Sequence, residues 1–139
     1  MSIAEATSPL YYQSGHPFKA NLEVWCRAWV GMITSGSGVI FFGRSDEGEV
    51  TCALGGVFFP SLNTGLLQGT ELVWYVIPKF RGHGLGWTLY RLFEEEAKSR
   101  KATTLLMSSL DNDSTEMLES FYQSHGFKLL EKVFVKELL

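Results

Sequence analysis

The stretch from Tyr75 to Ala97, YVIPKFRGHGLGWTLYRLFEEEA, constrains the chain more than any other. An apolar strand stops at Pro78, glycines stand at 82, 84 and 86, and a helix begins. Glycine costs backbone entropy, so this turn needs either positive φ or bare backbone that something can approach. A helix opening this way makes an anion site, because its first-turn N–H groups lack intrahelical partners and its dipole adds positive potential. Successive N–H groups in such a turn also form a concave nest. Pro78 ends the strand without wasting a donor. The dinucleotide pattern G-x-G-x-x-G would need glycine where Trp87 stands, and no P-loop run exists.

The flanking sequence supplies the frame. Residues 1–17 read as a loosely ordered lead-in to a single domain over 18–139. Phe18 to Thr34 places Leu22, Trp25, Cys26, Trp29 and Met32/Ile33 at helical intervals, with a break expected near Gly31. Strands follow at 39–44 and 49–59 around a turn at 45–48, then a longer loop at 60–69 and a strand from Glu71 to Ile77. Gly55 and Gly56 inside the second strand predict a bulge or a close backbone approach. After the glycine turn, Leu85, Leu89, Leu92, Phe93 and Ala97 make one apolar stripe, with Arg91, Glu95 and Lys98 opposite. TTLLMSS (103–109) lacks polar alternation and reads as a central strand. Asp113 and Glu116 can form a capping box for a helix through Gln123, stopped by Gly126. Residues 127–138 alternate as a last strand. The order α, β-β-β, α, β, α, β predicts an α/β fold, a mixed sheet with helices on both faces.

Composition narrows the partners. The 139 residues carry a net charge of −3 and no basic run longer than two, which argues against nucleic-acid binding. No apolar stretch approaches membrane-spanning length, and the start lacks a leader pattern, so a cytoplasmic protein is expected. Cys26 and Cys52 have no metal-ligand spacing to each other or to His16, His83 and His125, and read as buried apolar residues. No metal site is expected.

The run Arg81-Gly82-His83-Gly84-Leu85-Gly86, after a strand ending Val76-Ile77-Pro78, resembles the Gcn5-related N-acetyltransferases (GNAT). Their pyrophosphate loop reads [RQ]-x-x-G-x-[GA] after V-x-P. FYQSHGF (121–127) also resembles the family's Y-x-x-x-G-[FY] segment, through Tyr122, Gly126 and Phe127. The pairing of ELVWYVIP (71–78) with a terminal VFVKEL (133–138) more loosely resembles small phage- or prophage-borne members. The likeness covers about residues 18–138. It departs where the family often has asparagine seven residues before the tyrosine, since this chain has Thr115 there and Asn112 out of register. The first family strand is missing or reduced.

The resemblance implies a GNAT-type, mostly antiparallel sheet and acetyl-CoA as co-substrate. The loop, Arg81 through Gly86 with His83 and Leu85, would hold the pyrophosphate. The strand Glu71–Ile77 would splay from TTLLMSS and offer a backbone N–H near Val76 to the oxyanion. Tyr122 would protonate the departing thiolate. Glu71 stands where several members carry their base, and acetyl transfer to an amine calls for one. An ammonium of pKa ~10 is only about one part in a thousand neutral at pH 7. The alternative for Glu71 is a solvated strand-end carboxylate, and for Arg81 a role in positioning the loop. The expected reaction is direct N-acetylation of a small-molecule or peptide amine, with a homodimer open to the chain. The rival reading is a non-catalytic acyl-CoA-binding module.

Overall fold

The computed structural model describes residues 21–109 and 115–138. They fall into two compact units, one ending at Ser108 and the other starting at Ser109. In the first, α1 (Leu22–Thr34) leads into β1 (Gly38–Arg44), β2 (Val50–Pro60) and β3 (Leu67–Val76). A 3₁₀ turn (Pro78–Phe80), α2 (Leu85–Ser99) and β4 (Thr104–Leu106) complete it. Helix α1 runs unbroken through Gly31, and its amino end is capped by the Asn21 side chain accepting from the Val24 N–H at 3.1 Å. The sheet order is β1-β2-β3-β4, antiparallel except for the parallel pair β3/β4 joined across α2.

Gly55 and Gly56 explain how two helices reach one strand. A Cβ on Gly55 would lie 2.8 Å from the Trp29 ring of α1. A Cβ on Gly56 would lie 2.7 Å from the Phe93 ring of α2 and collide with the Thr70 carbonyl oxygen. Successive residues of a strand point to opposite faces, so α1 and α2 cover opposite faces of the sheet. On one face Trp29 packs with Val73, Trp25, Cys26, Met32 and Ile40. On the other, Phe93 lies 5.6 Å from Phe58 between ring centres. The buried stripe of α2 is Leu89, Tyr90, Phe93 and Ala97, whereas Leu92 is exposed.

Two strands depart from the sequence reading. β3 begins at Leu67, so the expected loop over 60–69 shrinks to Ser61–Leu66. Gln68, Gly69 and Thr70 look like loop residues but pair with both β2 and β4. TTLLMSS contributes only Thr104–Leu106 and, among the described residues, forms an outer strand rather than a central one. Its apolar character reflects what covers its faces, which says nothing about the number of strand neighbours.

The second unit holds α3 (Thr115–Ser124). Asp113 and Asn112 lie outside the described residues, as do residues 1–20 with His16 and the start expected at Phe18. The helix ends in a Schellman motif around Gly126, φ +84°. The Phe127 N–H donates to the Tyr122 carbonyl at 3.0 Å and the Gly126 N–H to the Gln123 carbonyl at 3.4 Å. The Tyr122 and Phe127 rings, 5.3 Å apart, provide the apolar contact of that motif. The last strand expected over 127–138 is not formed among the described residues, and Val133, Phe134 and Val135 are exposed. Alternation defines the faces of a strand, but a strand exists only where a neighbour satisfies its backbone groups.

Candidate active site

The site residues on β3 are set by a register shift. Gly55 pairs with Val73 and Gly56 with Glu71, which leaves Leu72 as the extra residue of a bulge. Directly paired residues share a face, so Val73 lies on the α1 side and Glu71 on the α2 side. Without the bulge, residues two apart would point the same way. The bulge thus turns Glu71 inward, where it is 8% exposed. This corrects the strand-end position expected for it: Glu71 is the fifth of ten residues in β3.

β3 also changes neighbours at this point. Gln68, Gly69 and Thr70 pair with Thr104, Leu105 and Leu106, and there the β4 pairing stops. Among the described residues, the stretch from Glu71 to Val76 has β2 as its only strand neighbour. A hydrogen bond bridges the start of the split, from the Ser108 N–H to Glu71 Oε2 at 3.1 Å. Burial pushes the Glu71 carboxyl up to about 7, and the Ser108 bond offsets this only in part. A carboxylate titrating there can accept a proton from an amine near neutral pH.

The ladder direction of β3 follows from its last bond. The Ile77 N–H donates to the Thr51 carbonyl at 2.9 Å, so Ile77 and Tyr75 face β2. The backbone groups of Val76 therefore face the side that β4 has left. Its carbonyl accepts from Arg81 Nε at 2.9 Å. Its N–H is aimed along the same edge, where the sequence reading expected an oxyanion donor.

The glycine turn follows directly. Gly82 and Gly84 have φ of +88° and +77°, and a Cβ on either would meet nothing within 4 Å. Positive φ, and not crowding, is why these two are glycine. Gly84 caps α2 without any side-chain bond, leaving the first-turn N–H groups of Leu85 and Gly86 without i−4 acceptors in the helix. Gly86 has an ordinary conformation, and a Cβ there would sit 3.7 Å from Trp74 and Val76. It keeps the turn close to β3. His83 is exposed between the two positive-φ glycines.

The first unit therefore brings together Glu71, Val76, Arg81 and residues 82–86. Tyr122 belongs to the second unit, buried beside Phe121 and Phe127. Trp29 is buried as its spacing predicts, whereas Trp25, Trp74 and Tyr75 are half-buried. Another phenol, Tyr90, is pushed up to about 12 by burial and by the charge of Glu94, which also accepts its hydrogen bond. Its proton is held. Gly55 and Gly56 signalled the bulge, as the register shift at that pair bears out. Sequence reasoning missed that its extra residue is Leu72 on the facing strand and that Ser108 bonds Glu71, because both arise from pairing between distant segments. Among the described residues no cluster of His, Cys, Asp and Glu could hold a metal ion, and no helix is long and apolar enough to cross a membrane.

Comparison with known proteins bears on the fold and the family. No curated protein sequence matches the chain. Among solved structures, glucosamine-6-phosphate N-acetyltransferase from Arabidopsis thaliana is similar with a TM-score of 0.76 at 16% identity, covering 99% of this chain and 95% of that one. A predicted acetyltransferase from Clostridium acetobutylicum, determined with acetyl-CoA, has a TM-score of 0.72 at 16% identity, with coverages of 96% and 86%. Ribosomal-protein-alanine N-acetyltransferase from Brucella melitensis biovar Abortus has a TM-score of 0.70 at 18% identity, with coverages of 97% and 93%. At these identities the likeness establishes the fold. Residues 36–129, more than half of the chain, match the acetyltransferase (GNAT) domain family, and the chain belongs to it.

Proposed function

We propose that this chain transfers an acetyl group from acetyl-CoA directly to a primary amine. The observation that carries the reading is the open edge of β3 from Glu71 to Val76, running from a buried carboxylate to a glycine turn. The diphosphate of the donor would lie on the N–H groups of residues 82–86, with its pantetheine arm along the open edge. The Val76 N–H would meet the carbonyl oxygen as it becomes an oxyanion. The amine nitrogen forms the new bond to carbon, the carbon–sulfur bond breaks, and the thiolate leaves. Glu71, directly or through one water, takes the proton that the ammonium must lose. As the carbon–sulfur bond breaks, the attacking nitrogen sheds its second proton. Tyr122 would give a proton to the thiolate and recover that one, a role that rests on the sequence motif alone.

The similar structures include a glucosamine-6-phosphate N-acetyltransferase, a ribosomal-protein-alanine N-acetyltransferase and an aminoglycoside acetyltransferase from an uncultured soil sample. All three acceptors are amines, so the acceptor class proposed here is an amine of a small molecule or a peptide. The test is consumption of acetyl-CoA with sugar amines, aminoglycosides, amino acids and peptides, read as free thiol and acetylated product. Amine-dependent thiol release is expected. Tight CoA binding with no turnover for any amine would favour a non-catalytic acyl-CoA-binding module. Tyr122→Phe should slow turnover at every pH below ~10, because raising pH frees the amine without restoring the phenol's proton.

A further inference from the structure

Arg81 opens the glycine turn, yet its side chain turns back to the strand. The 3₁₀ turn makes this reach possible, with the Phe80 N–H on the Ile77 carbonyl at 2.9 Å and the Arg81 N–H on the Pro78 carbonyl at 3.2 Å. Arg81 Nε then donates to the Val76 carbonyl at 2.9 Å, and the guanidinium carbon stands 5.1 Å from the centre of the Tyr75 ring. The acceptor carbonyl belongs to the peptide unit whose other end is the Ile77 N–H, bonded to Thr51 at 2.9 Å. That single peptide plane is held from both sides, by β2 through its N–H and by Arg81 through its oxygen.

The geometry points to Arg81 as a positioning residue that clamps the Val76–Ile77 peptide and so fixes the open β3 edge relative to the glycine turn. The inference deepens the acetyl-transfer reading above and depends on it for its kinetic consequences. The alternative is a cation that contacts the donor's diphosphate. The two roles need different atoms. The clamp uses Nε, the fourth side-chain atom, and Gln can place an N–H at that same bond count without any charge. Lys has a methylene there and carries its ammonium one bond further out.

The experiment compares R81Q, R81K and R81A with two probes, acetyl-CoA and acetyl-pantetheine, which lacks the diphosphate. For the clamp, R81Q retains more activity than R81K, and R81A loses about tenfold or more with both donors equally, since the damaged edge serves the part they share. Retention in R81K above R81Q, with a loss confined to acetyl-CoA, would overturn the clamp in favour of a diphosphate contact. Wild-type rates in all three variants would overturn it as well. A second readout requires no turnover. Exchange of the Ile77 amide, followed by NMR, should be about tenfold faster in R81A and R81K and remain protected in R81Q. Should wild type consume neither donor, the proposed function fails, while unchanged Ile77 exchange across the variants overturns the clamp by itself.

Discussion

Gly55–Gly56 and Gly82/Gly84 are the same residue used for opposite reasons. At the first pair the missing Cβ is filled by Trp29, Phe93 and the Thr70 carbonyl. At the second, nothing lies within 4 Å and the backbone has turned to positive φ. The crowded pair holds the sheet to its two helices and sets the bulge that turns Glu71 inward. The open pair bends the chain into the turn before α2 and leaves the space around it free within 4 Å of either added Cβ. Substitution should therefore harm stability at one place and ligand binding at the other.

The largest expected effect is at Gly56. Even Gly56→Ala must displace backbone at Thr70 as well as the Phe93 ring, and overpacking that cannot be relieved by a rotamer exceeds the usual ~1–3 kcal/mol. Urea titration should show a loss of at least about 3 kcal/mol. A Gly56→Ala protein as stable as wild type would show that this contact does not govern the packing.

Glu71, paired with Gly56, joins the two regions. Glu71→Gln keeps the shape and can still accept the Ser108 N–H, but cannot take a proton. Turnover at pH 7 should fall by ~10²–10⁴-fold and partly recover at higher pH as the acceptor amine loses its own proton. Stability should move the other way. The carboxyl is raised from 4.5 to about 7 in the folded protein, so the native state holds its proton more tightly than the unfolded chain. Wild-type stability then falls as pH rises through that window, and Glu71→Gln escapes the loss. At pH 8 the variant should be more stable by up to about 3 kcal/mol, with the advantage gone near pH 4. A variant with a wild-type pH profile for both rate and melting temperature would remove Glu71 as the base.

How much of this was legible depended on the range of the interaction. The glycine turn was readable because Pro78, Gly82, Gly84 and the helix onset act within a few residues of one another. The start of β3 was not, because Gln68, Gly69 and Thr70 have no strand-like pattern until β2 and β4 pair with them. Glu71 looked solvated because what buries it, the bulge opposite Gly56 and the N–H of Ser108, lies elsewhere in the sequence. The tail over 127–138 failed in the reverse direction, since its alternation was visible but a strand partner is not a sequence property.

At the open glycines the effect should be smaller and fall on binding. Gly84→Val forces a β-branched residue to φ near +77°, a local strain of roughly 1–2 kcal/mol that the rest of the fold can bear. CoA affinity should drop by about thirtyfold or more, roughly 2 kcal/mol. CoA should raise the melting temperature of wild type and leave that of the variant unchanged, because a ligand that binds only the native state stabilises it. If Gly84→Val binds CoA normally, the turn is not the nest. If instead it unfolds while Gly56→Ala stays folded, the contrast between the two glycine pairs is reversed.

The smallest effect is expected at the cysteines, which test whether any crowded site also takes part in the chemistry. Cys52 belongs to the packed class: its sulfur lies 2.9 Å from where a Cβ on Gly43 would stand, and it is 2% exposed. Cys26 packs against the Trp29–Val73 cluster. Neither lies in the glycine turn or on the open β3 edge, so a direct transfer has no use for either thiol. Replacing both by Ala should cost about 1–2 kcal/mol in stability through small cavities. It should leave kcat/KM for acetyl-CoA within about threefold of wild type. Cys52 stands directly opposite Val76 on β2, but the group used there is backbone, and the Thr51–Ile77 bond holds it without the thiol. Mass spectrometry of wild type held with acetyl-CoA and no amine should find no acetyl group on either residue. An acetyl-cysteine in that experiment would replace direct attack by a two-step transfer. Its position would say which half of the contrast fails, since acetylation at Cys52 would mean that the packed region opens during turnover.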